Sequence, residues 1–420
     1  MMRSRQGTDG QITTTIRREW LRTIADRTKR VEYREIKPYW VKRLSRVKVP
    51  FQLRYRGGPS KIGGSRRLNN SSNRQNPCKH WHHNDSVFSA NRFVPVRNSA
   101  IIWDVITPAN APNDRGLAVF GEFFLDLVLY DLPSVPRLGE EVKTTSFARF
   151  PGGGLATTAL VASHLGTPTR IITIVGQDAL PTREWQKLVQ SGVSTRGCEF
   201  HPTLPTAMTV CAAFDGDRMM ITYDKINRNL EALLSHKAAQ AQIRSARHLH
   251  LACAMAPPGK WARLIRKLRH TGIGLSADLG WNPETLRSPQ LPSLLRELEF
   301  TFPNESEAKA MTGERTVEAA ARELARWVRV PVLKLGVDGC LAVADGKVLR
   351  VKSIRVRSVD ATGSGDAFNG GFLHGHLAGW PLEDCLRAGN VCGALAATKA
   401  GGSSAIPTRK KLRELMKKIH

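Results

Sequence analysis

The stretch Ser358–Gly371, SVDATGSGDAFNGG, holds the residue types best suited to chemistry. Gly363 and Gly365 let backbone N–H groups converge on an anion without interference from a Cβ. A helix beginning here adds its positive end to the same spot. Asp366 stands at the mouth of this nest. A carboxylate repels phosphate and so does not bind it. It can instead take a proton from a hydroxyl that attacks a phosphoryl group. The nest would hold the charge that develops, at about 3 kcal/mol per donor. A capped helix, with Asp366 only complementing the dipole, is the alternative this stretch leaves open.

Such a turn needs a strand before it and a helix after it. VLRVKSIRVRSV alternates apolar and basic residues as a strand does, and Phe368–Leu377 reads as a helix. The same alternation of elements runs back to Leu117. LAVFGEFFLDLVL, RIITIVG, HLHLACA, GIGLSADLG, LEFTFPN and VPVLKLG read as strands. Helices are expected over Gly153–Leu165, Arg183–Ser191, Lys260–Thr271 and Val317–Trp327. This pattern predicts an α/β fold with a mostly parallel sheet covered on both faces, which binds ligands beyond the carboxyl ends of its strands. Asp126 and Asp278 each follow a strand, so each is either a ligand contact or a loop cap. His248 and His250, two apart on one strand, read as core. No GxxxxGK[ST] loop occurs, which disfavours a P-loop enzyme.

Charge divides the chain. Of 420 residues, 63 are Lys or Arg and 36 Asp or Glu, a net of +27. Residues 1–116 hold 24 of the bases and 8 of the acids. The basic excess thus marks a boundary more than it names a partner, and nucleic-acid contact is considered for residues 1–116 alone. Seven widely spaced cysteines without a CxxC suit reduced thiols and a cytoplasmic protein. MMRSRQGTDG has no apolar segment of the secretory type, and no run of eighteen apolar residues predicts a membrane span.

DATGSGDAF resembles the second signature of the PfkB/ribokinase family of carbohydrate and nucleoside kinases. Other motifs follow in family order. Gly121-Glu122 with Asp126 resembles the first strand and its sugar-contacting Asp. Pro151–Gly166, PGGGLATTALVASHLG, is similar to the first signature, and Gly176-Gln177-Asp178 to the VGxD step. Asn304 and Glu307 in PNESEAKAMTG match the NxxE element, and Lys334 through Gly339 the KLGxxG turn. The resemblance covers residues 117–416, about the whole second part.

It implies a ribokinase-like three-layer α/β/α sandwich over 117–420, with a small β-lid from about 127–150 and 205–224 that can mediate a homodimer. It also implies a phosphotransferase that uses ATP and Mg²⁺, with K⁺ as an optional cation. In that reading Asp366 is the base, and Gly363, Ser364 and Gly365 form the anion hole. Asp126, Gly152, Gly153 and Thr157 face the sugar, Thr157 standing where the family usually has Asn. Lys334, Gly336, Gly339, Asn390 and Gly401 face the nucleotide. Asn304 and Glu307 act on Mg²⁺ indirectly, and Asp360 matches the monovalent-cation position. Asp278, with Leu279-Gly280 where the family often has Pro-Asn, reads as a substrate contact or a cap. Lys225 and Arg228 read as solvated charges or as contacts to an anionic substrate. The acceptor is a sugar or sugar-like alcohol, or a nucleoside. An RNA-binding or regulatory protein with an inactive kinase fold is the rival from another class.

Residues 1–56 read as a basic region with a helix over Arg17–Arg30, and 57–116 as a polar linker. Residues 14–56 resemble the start of an ASCH (PUA-like) domain, a group associated with RNA. Trp20, Tyr33, Tyr39 and Trp40 would then stack on bases or, in a half domain, form a core. Cys78-Lys79-His80-Trp81-His82-His83 carries metal-capable side chains without zinc-site spacing.

Overall fold

Alternate residues of one strand enter two different cores. In β1, Leu117–Gly121, Leu117 and Val119 join a cluster on one face of the sheet, and Ala118 and Phe120 join another on the opposite face. This is the two-residue period of a strand buried on both sides. The computed structural model describes residues 116–214 and 217–419, together with four short strands earlier in the chain. Two compact units are present, Met1–Ile102 and Trp103–His420.

In the first unit Ser4–Gln6, Ile12–Thr14, Gln52–Tyr55 and Arg67–Asn69 form one sheet in that order, its middle pair parallel. The last of these lies within the stretch read as linker. The expected helix over Arg17–Arg30, the stacking aromatics and Cys78–His83 lie outside the described residues.

The second unit runs β2 (Phe124–Tyr130), β3 (Ser146–Gly152), α1 (Gly153–His164), β4 (Thr169–Ile172), β5 (Ile174–Gly176), α2 (Arg183–Gln190), β6 (Glu199–His201), β7 (Met208–Phe214) and β8 (Asp217–Tyr223). It continues through α3 (Lys237–Arg244), β9 (His248–Ala252), α4 (Pro258–Arg269), β10 (Gly274–Asp278), α5 (Pro283–Leu286), α6 (Leu291–Leu295), β11 (Phe300–Thr301), α7 (Glu305–Thr312) and α8 (Val317–Leu324). β12 (Val330–Lys334), β13 (Cys340–Ala344), β14 (Lys347–Val351), α9 (Ser364–Leu377), α10 (Leu382–Ala396) and α11 (Arg409–Met416) complete it.

The central sheet has the order β14-β13-β12-β11-β10-β9-β1-β4. It is parallel from β4 to β12 and antiparallel only at the β12–β13–β14 edge. Residues of α1, α2, α9, α10 and α11 fill one core, and residues of α3, α4, α6, α7 and α8 the other. This is the ribokinase-like three-layer α/β/α fold. The lid is a separate sheet of order β8-β7-β2-β3. Its Phe147, Met219, Met220 and Ile221 are exposed, in the segment to which a homodimer contact was assigned from sequence.

Two strand readings change. RIITIVG is two strands, because β5 leaves the central sheet to pair with β6. The alternating run 348–359 is extended strand only as far as Val351. α9 begins at Ser364, earlier than expected, so Asp366 belongs to its first turn.

α9 is buried along most of its length and packs between α1 and α10. A Cβ at Gly370 would meet Thr158 O of α1 at 2.8 Å, and one at Gly371 would meet Ala388 O of α10 at 2.7 Å. Glycine at both positions lets three backbones approach closely. No disulfide joins the six described cysteines, and among the described residues no helix is long and apolar enough to cross a membrane.

Candidate active site

The turn before α9 depends on Gly363, whose φ of 71° caps the helix in the left-handed region. The Thr158 hydroxyl of α1 donates to Asp366 O at 3.1 Å and anchors the first turn. Amides at the start of a helix have no intrahelical partner, so this end keeps donors for an anion. One of the three expected amides is committed elsewhere: Ser364 N–H donates to Ala361 O at 3.2 Å, and its hydroxyl donates to the same oxygen at 2.8 Å. The amides of Gly363 and Gly365 are therefore the remaining candidates for holding an anion.

Under this turn lies a buried cation. Lys334, at the end of β12, sets Nζ 3.1 Å from where a Cβ on Gly365 would stand. The same Nζ donates to Asp278 Oδ2 at 2.6 Å, and Asn369 Nδ2 of α9 donates to that oxygen at 2.7 Å. Burial opposes the charge on both partners. The Lys334 ammonium nevertheless holds the Asp278 carboxyl below its usual range, and the Asp278, Glu307 and Asp366 carboxylates hold Lys334 above its own. Asp278 is thus the partner of this lysine.

Asp366 has no such partner. Burial and the Asp278 carboxylate, reinforced by Glu307 and Asp126 and opposed by Lys334, push its carboxyl up to about 7. Its Oδ1 lies 2.9 Å from the position of a Cβ on Gly154, so this carboxylate abuts the first turn of α1.

The candidate acceptor residues lie where the lid sheet meets Gly152, Gly153 and Gly154. Asp126, on β2 opposite Phe150 of β3, packs its carboxylate against Gly152, where a Cβ would fall 2.1 Å from Oδ2. Burial, partly offset by the Thr209 hydroxyl, pushes the Asp126 carboxyl up to about 6. Gly153 turns the chain into α1 at a φ of 83°, beside Glu122 O. Glu122 was read only as a strand marker. Burial and the Asp224 carboxylate push it up to about 7, and its backbone oxygen lies beside Gly153. Its position directly after a strand was the available signal. Thr157 differs from expectation: it is buried, with Oγ1 3.4 Å from the Cβ position of Gly363, and so backs the turn.

The remaining candidates shape loops. Asn304 and Glu307 form a capping box at the start of α7, with Glu307 N donating to Asn304 Oδ1 at 2.9 Å and Asn304 N to Glu307 Oε2 at 2.8 Å. Asp360 accepts from Thr362 N at 2.9 Å and Gly401 N at 3.1 Å, tying the two turns together. Gly401 leaves room for the Phe150 ring of the lid. Gly336 and Gly339, both at positive φ, make the β12–β13 turn. Asn390 was expected at the nucleotide. Its amide instead donates to Val351 O at 3.0 Å and Lys352 O at 3.1 Å, which fastens α10 to the end of β14. Asp178 accepts from the Thr206 amide and hydroxyl at 3.0 and 2.7 Å and fixes the chain entering β7.

The chain is 26% identical to a ribokinase of Haemophilus influenzae over 309 residues, covering 72% of this chain and 98% of that one. It is 29% identical to a cytidine kinase of Thermococcus kodakarensis over 248 residues, covering 57% and 84%. A solved structure of Arabidopsis thaliana ribokinase complexed with ribose and ATP superposes with a TM-score of 0.64 at 23% identity, covering 72% of this chain and 99% of that one. The family model for pfkB family carbohydrate kinases matches residues 114–409. Matched over that span and sharing the ribokinase-like fold, the chain belongs to the pfkB family of carbohydrate kinases.

Proposed function

We propose that this protein transfers the γ-phosphoryl group of ATP to a hydroxyl of a sugar or sugar-like alcohol, with Asp366 as the base. One observation carries the reading. The Asp366 carboxyl lies between the acceptor-side Gly154 and the glycine turn, and its environment brings it to about 7, where it can accept a proton at neutral pH. Asp126 and Glu122 accept hydrogen bonds from acceptor hydroxyls. Asp366 takes the proton of the attacking hydroxyl. The glycine amides and the Lys334 ammonium hold the charge on the phosphoryl oxygens. The lid covers the acceptor and keeps water out.

Oxygen donors at this end of the sheet fit Mg²⁺. Asp278 is engaged by Lys334, Asn369 and Gly280, whereas the Asn304 capping bond uses Oε2 of Glu307. Glu307 is therefore the carboxylate that would hold Mg²⁺. When bound with ATP, the ion neutralises phosphate charge.

An ADP-release screen of aldoses, ketoses, polyols and nucleosides tests the function. Mg²⁺-dependent turnover of a sugar supports it. Turnover of nucleosides alone would assign the competing acceptor, which the similarity to a cytidine kinase favours. Intact ATP binding without turnover of either class would overturn both. With the acceptor in hand, Gly154→Ala should lower kcat about 100-fold, because its Cβ displaces the base by a fraction of an ångström to an ångström. KM for ATP should hold. An unchanged kcat would show that the base does not depend on this contact.

A further inference from the structure

A second group of ligand-capable side chains sits at the amino ends of the central strands, the end of the sheet opposite to Lys334 and Asp278. His248 opens β9, Glu299 immediately precedes β11, and His376 lies in the last turn of α9. One ligand atom from each lies within 4.8 Å of the others. Glu299 Oε2 lies 3.7 Å from His248 Nδ1 and 3.9 Å from His376 Nε2, and the two rings pack edge to face with centroids 5.4 Å apart. These separations exceed a hydrogen bond and are close to the roughly 3.3–3.5 Å between ligands of a tetrahedral ion with 2.0–2.1 Å bonds.

The decisive atom is His248 Nδ1. His248 is 1% exposed, and this nitrogen has no hydrogen-bond partner. Its other nitrogen, Nε2, is 2.7 Å from Ser276 Oγ, which in turn is 2.9 Å from His250 Nδ1. If Nε2–H donates to Ser276, Nδ1 carries a lone pair aimed at Glu299. A metal-bound imidazole usually donates its far N–H to an oxygen acceptor, a carboxylate, backbone carbonyl or water, and the Ser276 hydroxyl oxygen offers such an acceptor here. Gly274 leaves the space: a Cβ there would stand 2.5 Å from His248 Nδ1 and 2.9 Å from Glu299 Oε2.

We propose that His248, Glu299 and His376 form a site for Zn²⁺ or a dication of similar preference, with water as a fourth ligand on the exposed side. The two imidazoles favour such ions over Mg²⁺ and Ca²⁺. Arg329, 3.5 Å from Glu299 Oε1, leaves Oε2 as the single carboxylate ligand. Arg247, which donates to Leu377 O at 3.0 Å, adds a second nearby positive charge, so affinity is moderate. The ion would staple β9 and the β10–β11 connection to the far end of the helix that carries Asp366. Its role is structural, since Asp366 and His376 are ten residues apart, about 15 Å along the helix.

The test uses the full chain, stripped by chelator and titrated with Zn²⁺ and Co²⁺ in excess Mg²⁺ against a chromophoric competitor. Wild type should bind one equivalent more than His376→Ala and Glu299→Gln, or bind it at least tenfold more tightly. Visible Co²⁺ absorption of four-coordinate type and Zn²⁺-induced thermal stabilisation should be lost in both variants. His376 and Glu299 are partly exposed, so the variants should fold, and circular dichroism checks this. A Cys78→Ser/His82→Ala/His83→Ala variant should keep the site. Unchanged stoichiometry and spectra in the two single variants, or loss of all binding in the triple variant, would overturn the proposal.

Discussion

Asp366→Asn should lower kcat about a thousandfold and leave ATP binding within a few-fold of wild type. The amide has the size and hydrogen-bonding reach of the acid but cannot accept the hydroxyl proton. Its neighbours explain why the fold should tolerate it. Asp366 is buried beside the Asp278, Glu307 and Asp126 carboxylates, and its ionised form is the one disfavoured. A carboxyl raised in the folded state loses stability as pH climbs through the unfolded value towards about 7, so the variant should melt no lower than wild type at pH 8. Wild-type kcat should rise with pH and level off above about 7, since the base works only when deprotonated. Near-normal turnover by the variant, measured with the acceptor from the screen, would remove Asp366 from the base role. Loss of ATP binding would show that the substitution had damaged the glycine turn.

Lys334→Met should have the second-largest effect, acting on both stability and chemistry. Without the ammonium, Asp278 remains buried among Asn369, Glu307 and Asp366, an uncompensated charge costing about 3–5 kcal/mol. Lys334 also lowers the Asp366 carboxyl, so its loss moves the midpoint of the pH profile above about 7. Removing a positive group from beside Gly365 should cost about 100-fold in kcat. Adding Asp278→Asn separates the two effects. Lys334→Met/Asp278→Asn should recover most of the melting temperature and little of the turnover. Recovery of both would make Lys334 a partner for Asp278 and nothing more.

These two residues differ in how far the sequence reveals them. DATGSGDAF displays a glycine turn and a carboxylate within nine consecutive residues, so Asp366 and its turn are local facts. The alternating strands of 117–334 are equally legible, because burial on both faces writes apolar runs between helical stretches. Lys334 read only as a nucleotide contact, since its partner Asp278 is 56 residues away and meets it across β10, β11 and β12. Asp278 for the same reason stayed undecided between a substrate contact and a cap. Asn390 matches the nucleotide region only through the family resemblance, yet its amide is directed by Val351 and Lys352, about forty residues upstream. Ser364 sits inside the motif, but its spacing does not tell that its N–H turns back to Ala361. RIITIVG reads as one continuous strand because both halves are apolar, and only the pairing with β6 divides it. Motif and period thus report what neighbouring residues do. Ion pairs and amide partners set by topology are written in no single stretch.

The close seating of α9 against α1 has a kinetic corollary. Thr158 of α1 is bonded to Asp366 O, and Gly370 brings the two backbones together behind it. Gly154 and Asp366 therefore belong to one tightly packed helix pair. Asp126 and Gly152, by contrast, lie on strands of the lid sheet, so a movement of that sheet would carry them relative to the helix pair. Weakening the lid should make the enzyme wasteful, with ATP leaking to hydrolysis, whereas loosening the helix pair should make it slow.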